Sequence, residues 1–251
     1  MHVLSGGRLA VRRSIYFPDA DRSESLELPV SAFLIRHPQG NVLFDSGYHP
    51  TVAQDAEARW GSMAKSIRPI AYPDDNVVEN LRRIGVAADD IDVVVCSHLH
   101  PDHCGCNGFF ARATMVCHAE ELAAARVPDA GKFGYLRDDW DNSQEIQPIA
   151  GEHDLFGDDK IVLVPVPGHT PGSIAALVNL DRDGSFLLAS DAMPLRSPLE
   201  DGFMPRNTWN VDQAWASFTK IKRIEAAGAT VICGHDDTQW QSLKKGADPY
   251  E

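Results

Sequence analysis

Residues 96–110 read CSHLHPDHCGCNGFF, and they place three histidines (His98, His100, His103), Asp102 and three cysteines in one short stretch. How this stretch is read decides the fold. The apolar run 91–95 before it is of buried-strand type. If the chain stays extended past Ser97, then His98 and His100, two residues apart, point to the same side as a chelating pair. Pro101 disfavours helix at His100 but suits a helix's first turn, so the chain bends there and returns Asp102 and His103 toward the same point. Gly105 and Gly108 permit the close backbone approach that a crowded site needs.

A zinc finger would require two cysteine pairs of wider spacing, and Cys104-Gly105-Cys106 is too short and has no matching pair. The five cysteines (Cys96, Cys104, Cys106, Cys117, Cys233) are an odd number without an export signal. They read as reduced, buried small hydrophobes.

A coordination shell begun at 98–103 has to be completed elsewhere, and other apolar runs end in suitable groups. IVLVPVPGHTPGS (161–173) delivers His169 at a tight turn, FLLASDAM (186–193) delivers Asp191, and TVICGHDD (230–237) delivers His235. Asp191 directly follows a run too apolar to hold a carboxylate without a partner. The set divides into His98, His100 and His169 for one cation and Asp102, His103 and His235 for a second, with Asp191 free to bridge. Two cations roughly 3.5–4 Å apart suit such a ring.

The rest of the chain sets bounds. Its 251 residues and 43% hydrophobic content support a sizeable core. A formal charge of −13, with no run of Lys and Arg longer than a pair, argues against nucleic acid as a partner. No signal-peptide core or membrane-spanning run is present, so a cytoplasmic chain with no membrane partner is expected. Strands are predicted at 30–36, 41–45, 91–96, 114–117, 160–166, 173–180, 185–189 and 230–233, and helices at 75–84, 119–125 and 212–227. HPQG (37–40) and DRDG (181–184) look like hairpin turns. Hairpins mixed with helical crossovers predict an α+β layered sandwich in one domain, residues 1–251. The stretches 46–72 and 191–211 read as long loops, functional or mobile.

HLHPDH, followed by a lone histidine in GHTPG, an aspartate in SDA and a histidine in GHD, resembles the metallo-β-lactamase superfamily, and most of all its N-acyl homoserine lactonase branch. Asp45-Ser46-Gly47 is similar to an early turn of that family. The resemblance implies a four-layer αββα sandwich with a dinuclear site at one edge. Leu99 cannot ligate, which separates the chain from the flavo-diiron proteins, and Asp191 separates it from true β-lactamases of this fold.

With the resemblance comes an expected function: a dinuclear zinc hydrolase, with two Zn²⁺ per chain or Fe, Mn or Co in their place, that opens a lactone by attack of a metal-bridging hydroxide. Asp102 or Asp191 is the candidate proton shuttle, and Asp45 is a candidate for orienting a ligand histidine. Trp60, Met63, Ile67, Tyr72, Met193, Phe203, Met204 and Trp209 are candidates for an acyl-tail pocket, with Trp60, Met193, Phe203 and Trp209 foremost. The substrate is expected to be an N-acyl homoserine lactone or related small-molecule lactone or ester, and the assembly a monomer or homodimer. One departure stands out: Pro194 occupies the place where the lactonases have a tyrosine. A thioester or ester hydrolase of the glyoxalase II kind, a one-iron persulfide dioxygenase and a non-catalytic metal-binding scaffold are the alternatives.

Overall fold

The structure, a computed structural model, describes residues 1–70, 72 and 74–251. Its strands are β1 (His2–Arg12), β2 (Ser25–His37), β3 (Gly40–Phe44), β4 (Ile67–Ile70), β5 (Val93–Val95), β6 (Thr114–His118), β7 (Ile146–Ile149), β8 (His153–Asp154), β9 (Ile161–Pro165), β10 (Ile174–Leu180), β11 (Gly184–Ser190) and β12 (Thr230–Cys233). Its helices are α1 (Ala56–Trp60), α2 (Val77–Arg83), α3 (Pro101–Cys104), α4 (Ala119–Ala125), α5 (Arg137–Trp140), α6 (Arg196–Glu200), α7 (Val211–Ala226) and α8 (Asp237–Ser242). One mixed sheet runs β4-β1-β2-β3-β5-β6-β7 and a second runs β12-β11-β10-β9-β8.

Strand alternation explains why the two sheets stack. On β2, Phe33 and Ile35 face the second sheet while Ala32 and Leu34 face the other way. On β3, Val42 and Phe44 face inward and Leu43 outward. β11 repeats the pattern, with Phe186 and Leu188 facing the first sheet and Leu187 and Ala189 facing away. Strands that are apolar on both faces must be covered on both, since each fully buried Leu, Ile or Phe contributes about 1.5–3 kcal/mol. The outer faces are covered by helices: Val77 and Leu81 of α2 and Leu122 of α4 on the first sheet, Ile221 of α7 on the second. The result is the four-layer αββα sandwich of the metallo-β-lactamase fold.

Helix ends follow side-chain caps. Asn76 accepts from the Glu79 N–H at 3.0 Å and Asn210 from the Gln213 N–H at 3.0 Å, so α2 and α7 start after these residues, within two positions of the sequence expectation. The two predicted hairpins form, with His37 paired to Gly40 and Leu180 to Gly184. The strand pattern in the sequence does not anticipate β1. Its Gly6-Gly7 pair interrupts the apolar alternation, and the β1–β2 register shifts between Ser5 and Arg8, the mark of a bulge. Gly7 has φ +112°, and a Cβ there would meet the Tyr48 ring at 2.2 Å, so the bulge is shaped by that close approach. The stretches expected as loops also carry structure, with α1 and β4 in the first and α6 in the second.

The ends of β3, β5, β9, β11 and β12 deliver Asp45, His98 to His103, His169, Asp191 and His235 to one edge of the sandwich. Among the described residues no helix is long and apolar enough to cross a membrane.

Candidate metal centre

The bend expected at Pro101 forms. His100 is extended (φ −77°, ψ 151°) and caps α3 with Pro101 in its first turn, and the His103 N–H donates to the His100 carbonyl at 2.9 Å. One short helix thereby points Asp102 and His103 back at the pair His98 and His100. The ring nitrogens His98 Nε2 and His169 Nε2 each lie 3.1 Å from His100 Nδ1. Nitrogens at about 2.0–2.1 Å from a tetrahedral ion stand roughly 3.3–3.4 Å apart, so these three imidazoles are spaced as a ligand face. Asp102, His103 and His235 form a second group. Asp191 lies between the two, with Oδ1 3.3 Å from His103 Nε2 and 3.0 Å from His235 Nε2, and Oδ2 3.4 Å from His169 Nε2.

Four of the five rings are aimed by their other nitrogen. His103 Nδ1 is 2.8 Å from Asp45 Oδ2, His235 Nδ1 is 2.8 Å from the Pro29 carbonyl, and His100 Nε2 is 3.0 Å from the Phe133 carbonyl. His98 Nδ1 lies 3.0 Å from Ser97 Oγ, which also donates to Asp45 Oδ2 at 2.8 Å. A ring whose far N–H is engaged in this way presents a lone pair to the centre.

The electrostatics divide the centre. Burial and the neighbouring imidazoles push His98 well down, and burial brings His169 down to about 4, which keeps both neutral, the form that ligates. At His103 burial works the same way, but Asp102, Asp191 and Asp45 outweigh it and pull the ring toward the charged form. Burial disfavours charge on Asp191, yet His235, His103 and His169 outweigh it and hold its carboxyl well below the usual range. The carboxylate side of the centre therefore calls for positive charge. Among the described residues, the buried atoms His103 Nε2 and Asp191 Oδ1 make no well-directed hydrogen bond, although they stand within ion-pair range of each other. An orphaned acceptor beside an imidazole nitrogen, with ligand-type neighbours, fits a divalent cation.

A cavity of about 670 Å³ opens on this centre, with His100, Asp102 and His169 in its wall. Of the residues expected to line a pocket, Trp60, Met63, Ile67 and Trp209 do so, and Phe133, Tyr135 and Val127 join them. The others lie elsewhere. Met193 is fully buried against the outer face of the second sheet, and Met204 lines a separate small cavity beside Pro194. Phe203 and Tyr72 lie outside the lining and are 40% and 57% exposed, so their rings meet solvent instead of the cavity. Pro194 supports the site through its backbone, since its carbonyl accepts from the His235 N–H at 2.8 Å. All five cysteines are free and buried, and burial raises the thiols, Cys117 and Cys233 to about 12, so none is a nucleophile.

Three participants carry no signal in the sequence pattern. Ser97 and Ser190, 2.7 Å apart, join the Asp45 network. Tyr16 is buried, and burial together with the charges of Asp191 and Asp102 pushes its phenol well up, so it stays a proton donor beside the carboxylates.

Residues 26–235 match the metallo-beta-lactamase superfamily, and the chain belongs to it, as a metal-dependent hydrolase of the N-acyl homoserine lactonase branch. It is 31% identical to N-acyl homoserine lactonase AttM of Azorhizobium caulinodans, over 100% of this chain and 98% of that one. Identity to AttM of Agrobacterium fabrum is also 31%, over 100% and 98%. A solved N-acyl homoserine lactone hydrolase with the product N-hexanoyl-L-homoserine bound at its catalytic metal center superposes with a TM-score of 0.88 at 24% identity, over 98% of this chain and 97% of that one. At that identity the superposition speaks for the fold.

Proposed function

We propose that this chain, as one domain spanning residues 1–251, is a dinuclear zinc lactonase that opens N-acyl homoserine lactones. The observation that carries the reading is a largely apolar cavity of about 670 Å³ opening directly on both ligand groups, sized and lined for an acyl tail with its ring at the metals. The names of the AttM relatives point the same way.

In this reading His98, His100 and His169 hold one Zn²⁺, Asp102, His103 and His235 hold the other, and Asp191 serves both. Bound there, the pair would supply Lewis acidity, lowering the pKa of water and polarising the lactone carbonyl. The chain's own residues do the rest. Asp191, held ionised by three imidazoles, is a poor proton acceptor. Asp102 faces the cavity and lies at the edge of the centre, so its carboxylate oxygen takes the water's proton and returns it to the alkoxide as the ring opens. Trp60 and Phe133 bury the acyl tail and keep bulk water from it. Five buried, free thiols accord with a reducing, cytoplasmic setting.

The test is a pH-stat screen of lactones varied in ring size and acyl length, beside a thioester and a β-lactam, on protein of measured zinc content. Preferential turnover of acyl homoserine lactones supports the reading. Preferential thioester turnover would move the chain to the glyoxalase II kind, and a zinc-loaded protein that opens none of them would make it a metal-binding scaffold.

A further inference from the structure

Glu121 lies on α4, outside both ligand groups and outside the cavity lining, although the phenol of Tyr135 reaches it from that lining. It is fully buried, at 0% exposure, and it carries a carboxylate. Its Oε1 accepts from the Leu99 N–H at 2.9 Å and its Oε2 from the Gly172 N–H at 3.0 Å. Leu99 sits between His98 and His100, and Gly172 lies in the turn that carries His169. The two oxygens of one carboxylate thus hold the two loops that bring these three imidazoles together. The loops are pressed onto α4: a Cβ on Gly172 would meet the Glu121 backbone nitrogen at 2.2 Å. At the strand ends the Ile174 N–H donates to the Ser97 carbonyl at 2.8 Å, so the loops are joined there and clasped by Glu121 beyond.

From this we infer that Glu121 is a positioning residue of the His98, His100 and His169 triad, selective for the cation held there, whereas Asp45 reaches both groups, through His103 and through Ser97. The inference rests on the dinuclear reading above. The chemistry requires a carboxylate at this position. Two N–H donors arrive from different directions, and a glutamine offers one acceptor oxygen and a pair of donors, so one loop would face an N–H against an N–H. Loss of such a partner behind a ligand weakens metal binding by about 10- to 100-fold.

The experiment is a competition titration of zinc against a chromophoric chelator, on wild type, Glu121→Gln and Glu121→Asp, with the exposed neighbour change Glu120→Gln as control. His169→Ala and His235→Ala mark which of two sites a given loss belongs to, and circular dichroism of the zinc-free proteins reports folding. The expected result is two sites in wild type and Glu120→Gln. In Glu121→Gln and Glu121→Asp, the site lost in His169→Ala weakens about 10- to 100-fold while the site lost in His235→Ala is unchanged. Equal weakening of both sites, no weakening, or an unfolded Glu121→Gln alongside a Glu121→Asp that binds both ions as wild type does would overturn the inference. A wild type with a single zinc site would instead refute the dinuclear reading itself.

Discussion

Asp45 Oδ2 stands 2.8 Å from His103 Nδ1, both side chains are buried, and the same oxygen receives the Ser97 hydroxyl at 2.8 Å. Asp45 adopts φ +59°, a left-handed conformation that an aspartate tolerates better than most residues, and this turn aims its carboxylate under the centre. One carboxylate therefore fixes His103 directly and His98 through Ser97, one imidazole in each group. Asp45→Asn keeps the shape but weakens the acceptor. Zinc affinity is expected to fall about 10- to 100-fold, measured by chelator competition, with activity falling in step. Unchanged affinity in the variant would deny Asp45 this role.

Asp191→Asn and His169→Ala are each expected to reduce zinc content and activity together, because Asp191 faces both groups and His169 completes one. Metal analysis and turnover on the same preparation check this. Turnover like wild type in an Asp191→Asn protein depleted of zinc would refute the bridging role.

Phe133 and Trp209 are 65% and 52% exposed, yet both line the cavity, so they are available to an acyl tail without supporting the core. Truncation of either to alanine is expected to leave stability within about 0.5 kcal/mol of wild type. The KM for long-chain lactones should rise roughly tenfold, equivalent to about 1.4 kcal/mol of lost apolar contact, with short-chain KM little changed. Equal effects across chain lengths would place the tail elsewhere.

Trp60 lines the same cavity but is 4% exposed, and its ring packs edge-on to Tyr48 at 5.8 Å. Its removal costs the fold as well as the pocket. Trp60→Ala is expected to destabilise by about 3–5 kcal/mol in urea unfolding. A loss below about 1 kcal/mol would show that the site relaxes around the missing ring.

Asp139 is buried on α5, and burial lifts its carboxyl from 3.8 to about 6 although the Arg59 guanidinium donates to it. The folded chain then holds a proton that the unfolded chain releases, so stability falls as pH rises from about 4 to about 6 and levels above that. The contribution is on the order of 2–3 kcal/mol. In Asp139→Asn the slope of stability against pH over this window should flatten, whatever its absolute stability. An unchanged slope would show that Asp139 is ionised throughout.

Much of the centre was legible because each ligand sits where an apolar strand ends, and chain direction there is set by short-range chemistry such as Pro101 after His100. Of the groups that aim these side chains, Asp45 was legible and the others were hidden. Glu121 meets Gly172 across 51 positions and Ser190 meets Ser97 across 93, pairings that only the stacked sheets create. β1 was hidden for a local reason, because its glycine bulge breaks the apolar alternation, and β4, β7 and β8, of four residues or fewer, were missed as well. The pocket residues were half legible. An apolar side chain in a loop has two destinations, core or cavity, and the sequence does not separate Met193, which went to the core, from Trp60, which serves both.

The ligands are spread from residue 98 to residue 235, and this spread orders the assembly of the centre during synthesis. His98, His100 and His169 are all present once β9 and its turn have emerged. The group of Asp102 and His103 must wait for β12 to bring His235. On the proposed ligand sets, the first group is complete in the nascent chain while the second is still an open pair. In the dinuclear reading, the last strand to join the smaller sheet is also the one that brings His235 to the second candidate group.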